Sequence, residues 1–520
     1  MTEKDSTPRP ENKIEQRPFT TLLFESFERM GPKRALTFMR GNGIETRLSY
    51  HDLNRASGYL SAHLSEMGVK QGDRVLLFLP KCVYWVAAHL AILKIGAISV
   101  TLNPDFKKRE LEFFIQASNP ALAVVGQEQQ ELVSGLAPDL SLISFDREEP
   151  FDMGALEKTG LKAKVVTEQK MSDPGMIIFT SGTTGQPKGA VLTLGNLSHD
   201  VQNISAIWEM SQSDVLCHAL PLFHTHGLCF ALHTSFLAGA SVVMLDVFSP
   251  DRVFELLSQN QGELVCSLFM AVPTMYSRLT NQPPDARTDF SHIRLLTSGS
   301  APLLVRDFER IREVFGQEPV EREGMSETGM NFSNPLHGPR KAGSIGLPLP
   351  GLEVRILDPE TKEDVPAGET GEIWLKGPGV TPGYWKRPEE TEKAFVHGWF
   401  RTGDLGRRDP DGYYFLTDRL KHIIISGGEN ISPKEIEQVI NNLEGVVECA
   451  VVGIPDPAWG EKVVAAVKVR PDSSITSDTI QAQCKETLLA WKCPKEILFI
   501  DELPKNQMGK VLKNKVEALF

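Results

Sequence analysis

The chain has 520 residues, more than the roughly 250 to 300 that one hydrophobic core organises, so its length excludes a lone small binding module and predicts at least two domains. Hydrophobic residues make up 41% and charged residues 23%, which excludes a disordered, collagen-like or coiled-coil chain. The net charge of −12 disfavours broad adhesion to nucleic acid or anionic lipid, so we predict no nucleic-acid partner. A small-molecule enzyme fits these values better.

The N-terminal residues 1–16 are polar and contain prolines, and we predict a loose tail there because the apolar core of a signal peptide is missing. The seven cysteines are scattered without a CxxC pair, which is typical of a reduced compartment and predicts a cytoplasmic protein. The most apolar stretch, 83–102, is interrupted by His89, Lys94 and Gly96. It divides into a helix and a strand, so we predict no membrane span.

Strand-type apolar runs alternate with helix-length segments from about Leu48 to Asp246, and a second alternating region follows. Such alternation predicts layered α/β structure with mostly parallel strands. After about Gly351, short strands are divided by turn residues, which predicts an antiparallel or barrel-like subregion. The predicted fold class is therefore α/β, with a large layered N-terminal domain that includes a β-barrel-like subregion and a small α+β C-terminal domain.

The best candidate for a domain boundary is the segment DRLKHIIISGGENISP, residues 418–433. Charge, a β-rich run, paired glycines and a helix beginning at proline follow one another there within a short span. We predict an N-terminal domain over 17–420 and a C-terminal domain over 421–520.

The most informative segment is MIIFTSGTTGQPKGAVL, residues 176–192, in which an apolar strand enters a loop of glycines and hydroxyls that contains one lysine. Backbone N–H groups, hydroxyls and an ammonium group suit a polyphosphate. The pattern differs from the common GxxxxGK[ST] nucleotide loop, because Pro187 precedes Lys188 and a strand, not a helix, is predicted to follow. The candidate phosphate-binding residues are Thr180, Ser181, Gly182, Thr183, Thr184, Gly185 and Lys188.

Together with seven further segments, this loop resembles the AMP-forming acyl-CoA synthetases, a branch of the adenylate-forming enzymes. The resemblance runs from about Phe19 to the C-terminus, and the ordered set is far more specific than any single motif. The other segments are LPLFHTHG, TSGSAPL, EGMSETG, GEIWLKGPGVTPGYW, GWFRTGDLG, DRLKHIIISGGENISPKEIE and LPKNQMGKVLK.

The resemblance implies two half-reactions. A substrate carboxylate attacks the α-phosphorus of ATP to give acyl-AMP and pyrophosphate, and the thiol of coenzyme A then displaces AMP. Because a carboxylic acid is already ionised at neutral pH, the first step needs charge neutralisation and alignment but no general base. Two alternatives stay open: an adenylating enzyme that loads a separate carrier protein, and an ATP-dependent phosphotransferase, which would release ADP. Oligomers are possible in each case.

The resemblance also assigns roles by position in the motifs. Lys188 and its loop hold the β- and γ-phosphates, Glu327 coordinates Mg²⁺ with a weaker contribution from Thr180, and Ser326 contacts phosphate. Asp404 and Arg419 hold the ribose, and Lys510 bridges the α-phosphate and the attacking carboxylate. The remaining ATP-site residues implied in this way are Ser298, Gly299, Ser300, Ala301, Glu323, Gly324 and Met325.

For the second half-reaction the resemblance makes Lys421 the hinge of a mobile C-terminal domain. Rotation of that domain withdraws Lys510 and brings a glycine loop to the passage for coenzyme A. The residues implied there are Ser426, Gly427, Gly428 and Trp459.

The chain departs from the family pattern at Glu323, where most relatives have an aromatic residue that stacks on adenine. A carboxylate cannot stack, so we expect a weaker ATP site.

The acid is left open between a short dicarboxylate such as malonate and a medium-chain or cyclic monocarboxylate. The central region resembles malonyl-CoA synthetases, in which an arginine pairs with the distal carboxylate, and Arg278 occupies a similar place. His224, Ser298 and Met330 are the other candidate acyl-binding residues. The pair His224 and His226 also allows a zinc interpretation if both lie on one strand, although no third ligand has suitable spacing.

Overall fold

The structure is a computed structural model, and it describes residues 14–41, 43–164, 167–180, 186–281, 288–426, 429–457, 459–506 and 509–520. The predicted N-terminal tail lies almost entirely outside these residues, as do 181–185 of the phosphate loop, Gly427 and Gly428.

The first third of the chain contributes a six-stranded sheet of order β6-β5-β3-β4-β7-β8, in which β8 alone runs antiparallel to its neighbour. The predicted strand after the phosphate loop is present as β8. The elements are α1 (Phe19–Met30), β1 (Arg34–Arg40), β2 (Gly43–Ser49), α2 (Tyr50–Glu66), β3 (Arg74–Phe78), α3 (Val83–Lys94), β4 (Ile98–Thr101), α4 (Lys108–Ser118), β5 (Leu122–Gly126), α5 (Gln127–Leu136), β6 (Ser141–Phe145), α6 (Met153–Glu157), β7 (Pro174–Thr180), β8 (Lys188–Thr193) and α7 (Leu194–Ile207).

The middle of the chain builds a nine-stranded sheet of order β15-β14-β13-β12-β11-β9-β10-β1-β2. Its parallel strands β9, β11 and β12 all end at the same edge, so the loops that follow them lie near one another. The elements are β9 (Val215–His218), a π-helix (His226–His233), α8 (Thr234–Ala238), β10 (Ser241–Leu245), α9 (Pro250–Leu257), β11 (Leu268–Ala271), α10 (Pro273–Thr280), β12 (Leu295–Ser298), α11 (Val305–Phe315), β13 (Val320–Met325), β14 (Gly329–Ser333) and β15 (Leu347–Pro348).

The two sheets enclose an apolar layer of helices. Helix α3 is buried along almost its whole length and is apolar on every side, as expected for a helix between two sheets. The predicted division of 83–102 is confirmed, because α3 ends at Lys94 and β4 begins at Ile98. No helix in the described part of the chain has the length and apolar character that crossing a bilayer requires.

The prediction of a barrel-like subregion is wrong, because the sheet there is not closed. The strands form an open five-stranded sheet, β16-β17-β19-β18 with β20 also on β19. Closure is not needed, because apolar residues of this sheet pack against Phe332 of β14 and thereby cover its inner face. The elements are β16 (Glu353–Leu357), β17 (Gly371–Lys376), α12 (Pro388–Ala394), β18 (Phe395–Val396), β19 (Trp399–Arg408) and β20 (Tyr414–Arg419).

The C-terminal part is a smaller α+β unit, as predicted, with its own core on both faces of a five-stranded sheet of order β22-β21-β24-β23, with β25 on β24. A single 3₁₀ turn, Leu420–His422, links it to β20. The elements are β21 (Ile424–Ser426), β22 (Glu429–Ile431), α13 (Pro433–Asn441), β23 (Val446–Asp456), β24 (Gly460–Val469), α14 (Ser477–Thr487), β25 (Glu496–Phe499) and α15 (Lys513–Glu517).

Candidate active site

The phosphate-loop residues that the structure describes lie at the mouth of the β7–β8 hairpin, where Thr180 pairs with Lys188. The Thr180 hydroxyl donates a hydrogen bond to Oε1 of Glu327 (3.1 Å), which lies in the turn between β13 and β14. Two sheets therefore meet here, and three of the predicted ATP-site residues come together. Ser181, Gly182, Thr183, Thr184 and Gly185 lie outside the described residues.

Tyr384 joins this group, although no role was predicted for it. Its hydroxyl donates a hydrogen bond to the same Oε1 of Glu327 (3.2 Å). The ammonium group of Lys188 lies over its ring, 5.3 Å from the centroid, within the range of a cation–π interaction. One side chain thus contacts both the predicted metal ligand and the predicted phosphate lysine.

The predicted ribose site is a bidentate ion pair between neighbouring strands. Asp404 of β19 pairs with Arg419 of β20, with Nε–Oδ1 at 2.7 Å and Nη2–Oδ2 at 3.2 Å. Burial raises the pKa of Asp404, and the adjacent positive charges of Arg419 and Lys510 oppose that rise. The planar fork of the arginine holds the carboxylate in one orientation.

Lys510 approaches this pair from the C-terminal unit. Its side chain keeps an exposed surface, yet the surrounding protein desolvates the ammonium group and lowers its pKa to about 8. Arg419 and Lys421 lower that pKa further, whereas Asp404 and Glu327 oppose the change. The lysine thus faces the predicted ribose and metal residues together.

The Lys510 loop fits closely against the N-terminal part of the chain. Gly509 has φ +73°, and a side chain there would collide with Thr274 at the beginning of α10. A glycine is required for both reasons. This close approach places Lys510 at the edge of the nine-stranded sheet.

The carboxyl end of β12 supplies the next group, formed by Ser298, Gly299, Ser300 and Ala301. Ser300 adopts φ +69°, and its hydroxyl lies 3.0 Å from Nδ1 of His226. Burial lowers the pKa of His226 well below its usual range, so the ring is neutral.

His226 begins the π-helix and does not lie on a strand, so the geometry that the zinc interpretation requires is absent. The described ranges contain no cluster of three or more metal-binding side chains.

His224 precedes the π-helix in a turn and lies against Phe223, with ring centroids 4.6 Å apart. Burial lowers the pKa of His224 to about 4, which makes the ring neutral at physiological pH. Met330 is buried on β14, and its N–H donates to Oδ1 of Asp200 (2.9 Å).

Arg322 is the most unusual residue of this region. It lies on β13 between β12 and β14, which bear Ser298 and Met330. Its side chain is only 2% exposed, and in the part of the chain that the structure describes, nothing accepts a hydrogen bond from Nε, Nη1 or Nη2. The guanidinium lies 5.2 Å from the centre of the Phe230 ring and against the backbone of Gly299, where a Cβ would approach Cζ to 2.6 Å.

This cation has negative charge nearby but, among the described residues, no hydrogen-bond acceptor. Burial lowers the pKa of Arg322 to about 10, while the carboxyl groups of Glu323 and Asp200 oppose the change. Nε2 of His226 and the hydroxyl of Ser298 are likewise buried without a hydrogen-bond partner among the residues described. Buried polar groups are normally paired, so this concentration of unpaired groups indicates a site for a polar ligand.

Glu323 accepts a hydrogen bond from Nδ2 of Asn331 (3.0 Å). Burial and the nearby negative charge of Asp404 raise the pKa of Glu323 to about 7. The position that the family uses for stacking is therefore occupied by a carboxyl group that titrates near neutrality.

In the described chain no hydrogen bond or ion pair joins Arg278, Ser426 or Trp459 to this group, whereas Lys421 is near enough to lower the pKa of Lys510. Arg278 is exposed on α10, with its guanidinium 5.0 Å from the centre of the Phe248 ring. Ser426 ends β21 and is buried, whereas Trp459 is 50% exposed. Lys421 lies in the 3₁₀ turn, with its pKa lowered by burial and by Arg419.

The AMP-binding enzyme family matches residues 23–385, and the AMP-binding enzyme C-terminal domain matches residues 435–510. The chain is 36% identical over 490 residues to the mitochondrial malonate–CoA ligase ACSF3 of Mus musculus, covering 87% of this chain and 82% of that protein. It is 35% identical over 501 residues to a feruloyl-CoA synthase of Amycolatopsis sp, covering 95% and 97%. The crystal structure of ATP-bound MatB from Rhodopseudomonas palustris superimposes with a TM-score of 0.90 at 34% identity, covering 96% and 98%.

Proposed function

The chain belongs to the AMP-binding enzyme family and is an AMP-forming acyl-CoA synthetase, and from this premise we propose that its acid substrate is a short dicarboxylate of the malonate type. ATP and coenzyme A are the co-substrates of this reaction class. The observation that supports the choice of acid is the buried guanidinium of Arg322, which has no hydrogen-bond partner among the residues that the structure describes.

An isolated cation inside a protein is costly, and the cost falls when an anion forms hydrogen bonds to it. A guanidinium binds a carboxylate through two parallel hydrogen bonds. The distal carboxylate of a dicarboxylate supplies such a partner, whereas the methyl end of a monocarboxylate leaves the cation unpaired. We therefore place the distal carboxylate at Arg322, with Ser298 and His226 as further donors or acceptors.

Arg322 thus takes the role that the sequence suggested for Arg278, which was to pair with the distal carboxylate. Arg278 is exposed, so a carboxylate bound there would remain hydrated and gain little selectivity. The name of the malonate–CoA ligase relative supports a diacid, whereas the name of the feruloyl-CoA synthase relative supports an aromatic monoacid. The buried positive charge of Arg322 supports the diacid.

In the first half-reaction the reacting carboxylate attacks the α-phosphorus and pyrophosphate leaves. Lys510, delivered by the C-terminal domain, neutralises the approaching anions, and Lys188 neutralises the outer phosphates. Asp404 and Arg419 orient the ribose. Glu327 would hold Mg²⁺ with Thr180 beside it, since a carboxylate among hydroxyls suits this hard cation, which supplies charge neutralisation at the phosphates when bound.

In the second half-reaction the thiol of coenzyme A displaces AMP. We propose that the C-terminal domain, about 421–520, turns at Lys421 between the two steps and that Ser426, Gly427, Gly428 and Trp459 then line the thiol passage. Cytoplasmic location and independence from nucleic acid stay predictions.

The test is acid-dependent ATP–pyrophosphate exchange by wild-type protein and by Arg322→Met, with malonate and with butyrate. The variant should lose about 100- to 1,000-fold in kcat/KM for malonate, because the distal carboxylate then meets an apolar side chain. It should keep or gain activity with butyrate. Arg278→Met is the matched control and should change either value by less than about twofold.

The proposal is wrong if Arg322→Met keeps its preference for malonate, or if Arg278→Met removes that preference. Release of ADP in place of AMP and pyrophosphate would contradict the reaction itself.

A further inference from the structure

Arg306 connects the N-terminal part of the chain to the C-terminal unit through three backbone carbonyls. It lies in the first turn of α11, and its Nη1 donates to the carbonyls of Asn441 (2.8 Å) and Val446 (3.0 Å). Its Nη2 donates to the carbonyl of Val447. All three acceptors belong to the end of α13 and the beginning of β23.

These acceptors are well suited to a cation. The last carbonyls of a helix lack intrahelical donors and carry the negative end of the helix dipole. A guanidinium is planar and always charged, so one side chain can satisfy several carbonyls with little further loss of freedom. Asp307 lies 3.6 Å from Nε of Arg306 and restricts the orientation of the fork.

The held segment is linked to Lys510 by a short series of contacts. Glu448 follows Val447 and pairs with Nζ of Lys505 (2.5 Å). Lys505 forms a β-bridge with Val511, the residue after Lys510. Asn506 also donates its N–H to the carbonyl of Lys510 (2.9 Å).

A second link runs through α13 itself. Nζ of Lys513 donates to the carbonyl of Val451 (3.0 Å) and pairs with Glu437 (3.0 Å). The Lys510 loop and the segment that Arg306 holds therefore belong to one packed unit. Holding that segment in place therefore also holds the Lys510 loop in place.

We propose that Arg306 is a positioning residue for acyl-adenylate formation. Its hydrogen bonds hold the C-terminal domain in the orientation that brings Lys510 to the site. These hydrogen bonds break when that domain turns for thioester formation. This inference rests on the two half-reactions of the proposed function. In the described chain Arg306 forms its hydrogen bonds and ion pair with Asn441, Val446, Val447 and Asp307 and with none of the predicted ATP- or acid-binding residues, so its effect on the chemistry passes through the docked domain.

The docking side chain is partly hydrated, with 38% of its surface exposed. Its hydrogen bonds therefore stabilise the docked arrangement moderately and still permit release. A moderate contact suits a domain that must undock in every turnover, because a much stronger one would slow the second step.

The test compares Arg306→Ala with Arg310→Ala. Arg310 is a matched control, since it is one turn further along α11 and pairs only with Glu313 of the same helix (3.0 Å) in the described chain. Pyrophosphate exchange reports the first half-reaction, and thioester formation from supplied acyl-AMP reports the second. We expect Arg306→Ala to lower exchange about tenfold and to leave thioester formation unchanged or faster, with Arg306→Lys intermediate.

Equal losses in both half-reactions would overturn the proposal, and so would an Arg306→Ala variant that exchanges pyrophosphate as fast as Arg310→Ala. A failure of the proposed function is distinguishable, because wild-type protein would then exchange pyrophosphate no faster with malonate than with a monocarboxylate, whatever Arg306→Ala does.

Discussion

Arg322 and Lys510 bring positive charge to one site from two parts of the chain, and their surroundings differ greatly. Arg322 lies inside the nine-stranded sheet, 2% exposed and enclosed by Phe230 and the backbone of Gly299. Lys510 lies on a loop of the C-terminal unit, keeps an exposed surface and faces Asp404. The first can leave only if the sheet opens, whereas the second would leave by the domain movement that we propose.

This difference indicates that the two cations have different functions. A cation that is permanently enclosed and unpaired penalises every ligand that lacks a matching anion, so it suits the selection of substrate. A cation on a loop can be present for one step and absent for the next, so it suits catalysis of a single half-reaction.

The largest expected effect tests the transient cation. Lys510→Met should lower pyrophosphate exchange about 100- to 1,000-fold, since one preorganised charge at the reacting groups is lost. Thioester formation from supplied acyl-AMP should change by less than about threefold. Comparable losses in both steps would show that Lys510 serves the whole cycle.

The second prediction concerns pH. The pKa of Lys510 is lowered to about 8, so its ammonium form, which the first step needs, is present below that pH and is lost above it. The kcat/KM of exchange, which reports the free enzyme, should therefore fall above about pH 8, approaching tenfold per unit. Thioester formation from supplied acyl-AMP should not fall in the same range, because Lys510 has then withdrawn. A flat exchange profile up to pH 10 would contradict the assignment.

The third prediction uses Tyr384, which links Glu327 to Lys188. Tyr384→Phe removes the hydrogen bond to the Glu327 carboxylate and keeps the ring under the ammonium group, so kcat/KM for MgATP should fall about tenfold. Tyr413→Phe is the control. Its hydroxyl donates to the carbonyl of Pro339 and Lys341 lies over its ring, a similar pair of contacts remote from the phosphate loop. An equal effect of both changes would reduce Tyr384 to a structural role.

The smallest expected effect concerns Glu323. Glu323→Tyr should lower the KM for ATP about fivefold, since an aromatic ring can stack on adenine and a carboxyl group cannot. Glu323→Gln supplies no stacking surface and should not reproduce the gain. An unchanged or higher KM in the tyrosine variant would show that this chain holds the base in another way.

Much of the α/β organisation could be predicted from the sequence because strand and helix periodicity is local. The β7–β8 hairpin around the phosphate loop, the division of 83–102 and the α+β C-terminal unit all follow from short segments. The closure of the barrel-like subregion was predicted wrongly, because the packing of that sheet on Phe332 depends on a distant strand.

The decisive features of the site are non-local. Arg322 stands in EREGMSE beside residues with predicted roles, yet only Gly299 and Phe230, brought from other elements, show that its guanidinium is enclosed. Tyr384 is 57 residues from Glu327 along the chain. The zinc interpretation of FHTH requires a strand at His226, but a π-helix begins there, and no periodicity in FHTH distinguishes the two.

The claim that the enclosed cation selects the acid is tested most directly by pyrophosphate exchange of wild-type protein with malonate, butyrate, hexanoate and cyclohexanecarboxylate at equal concentration. We expect malonate to support exchange with a kcat/KM at least about 100-fold above that of each monocarboxylate. Exchange that is faster with any of the three monocarboxylates than with malonate would contradict it.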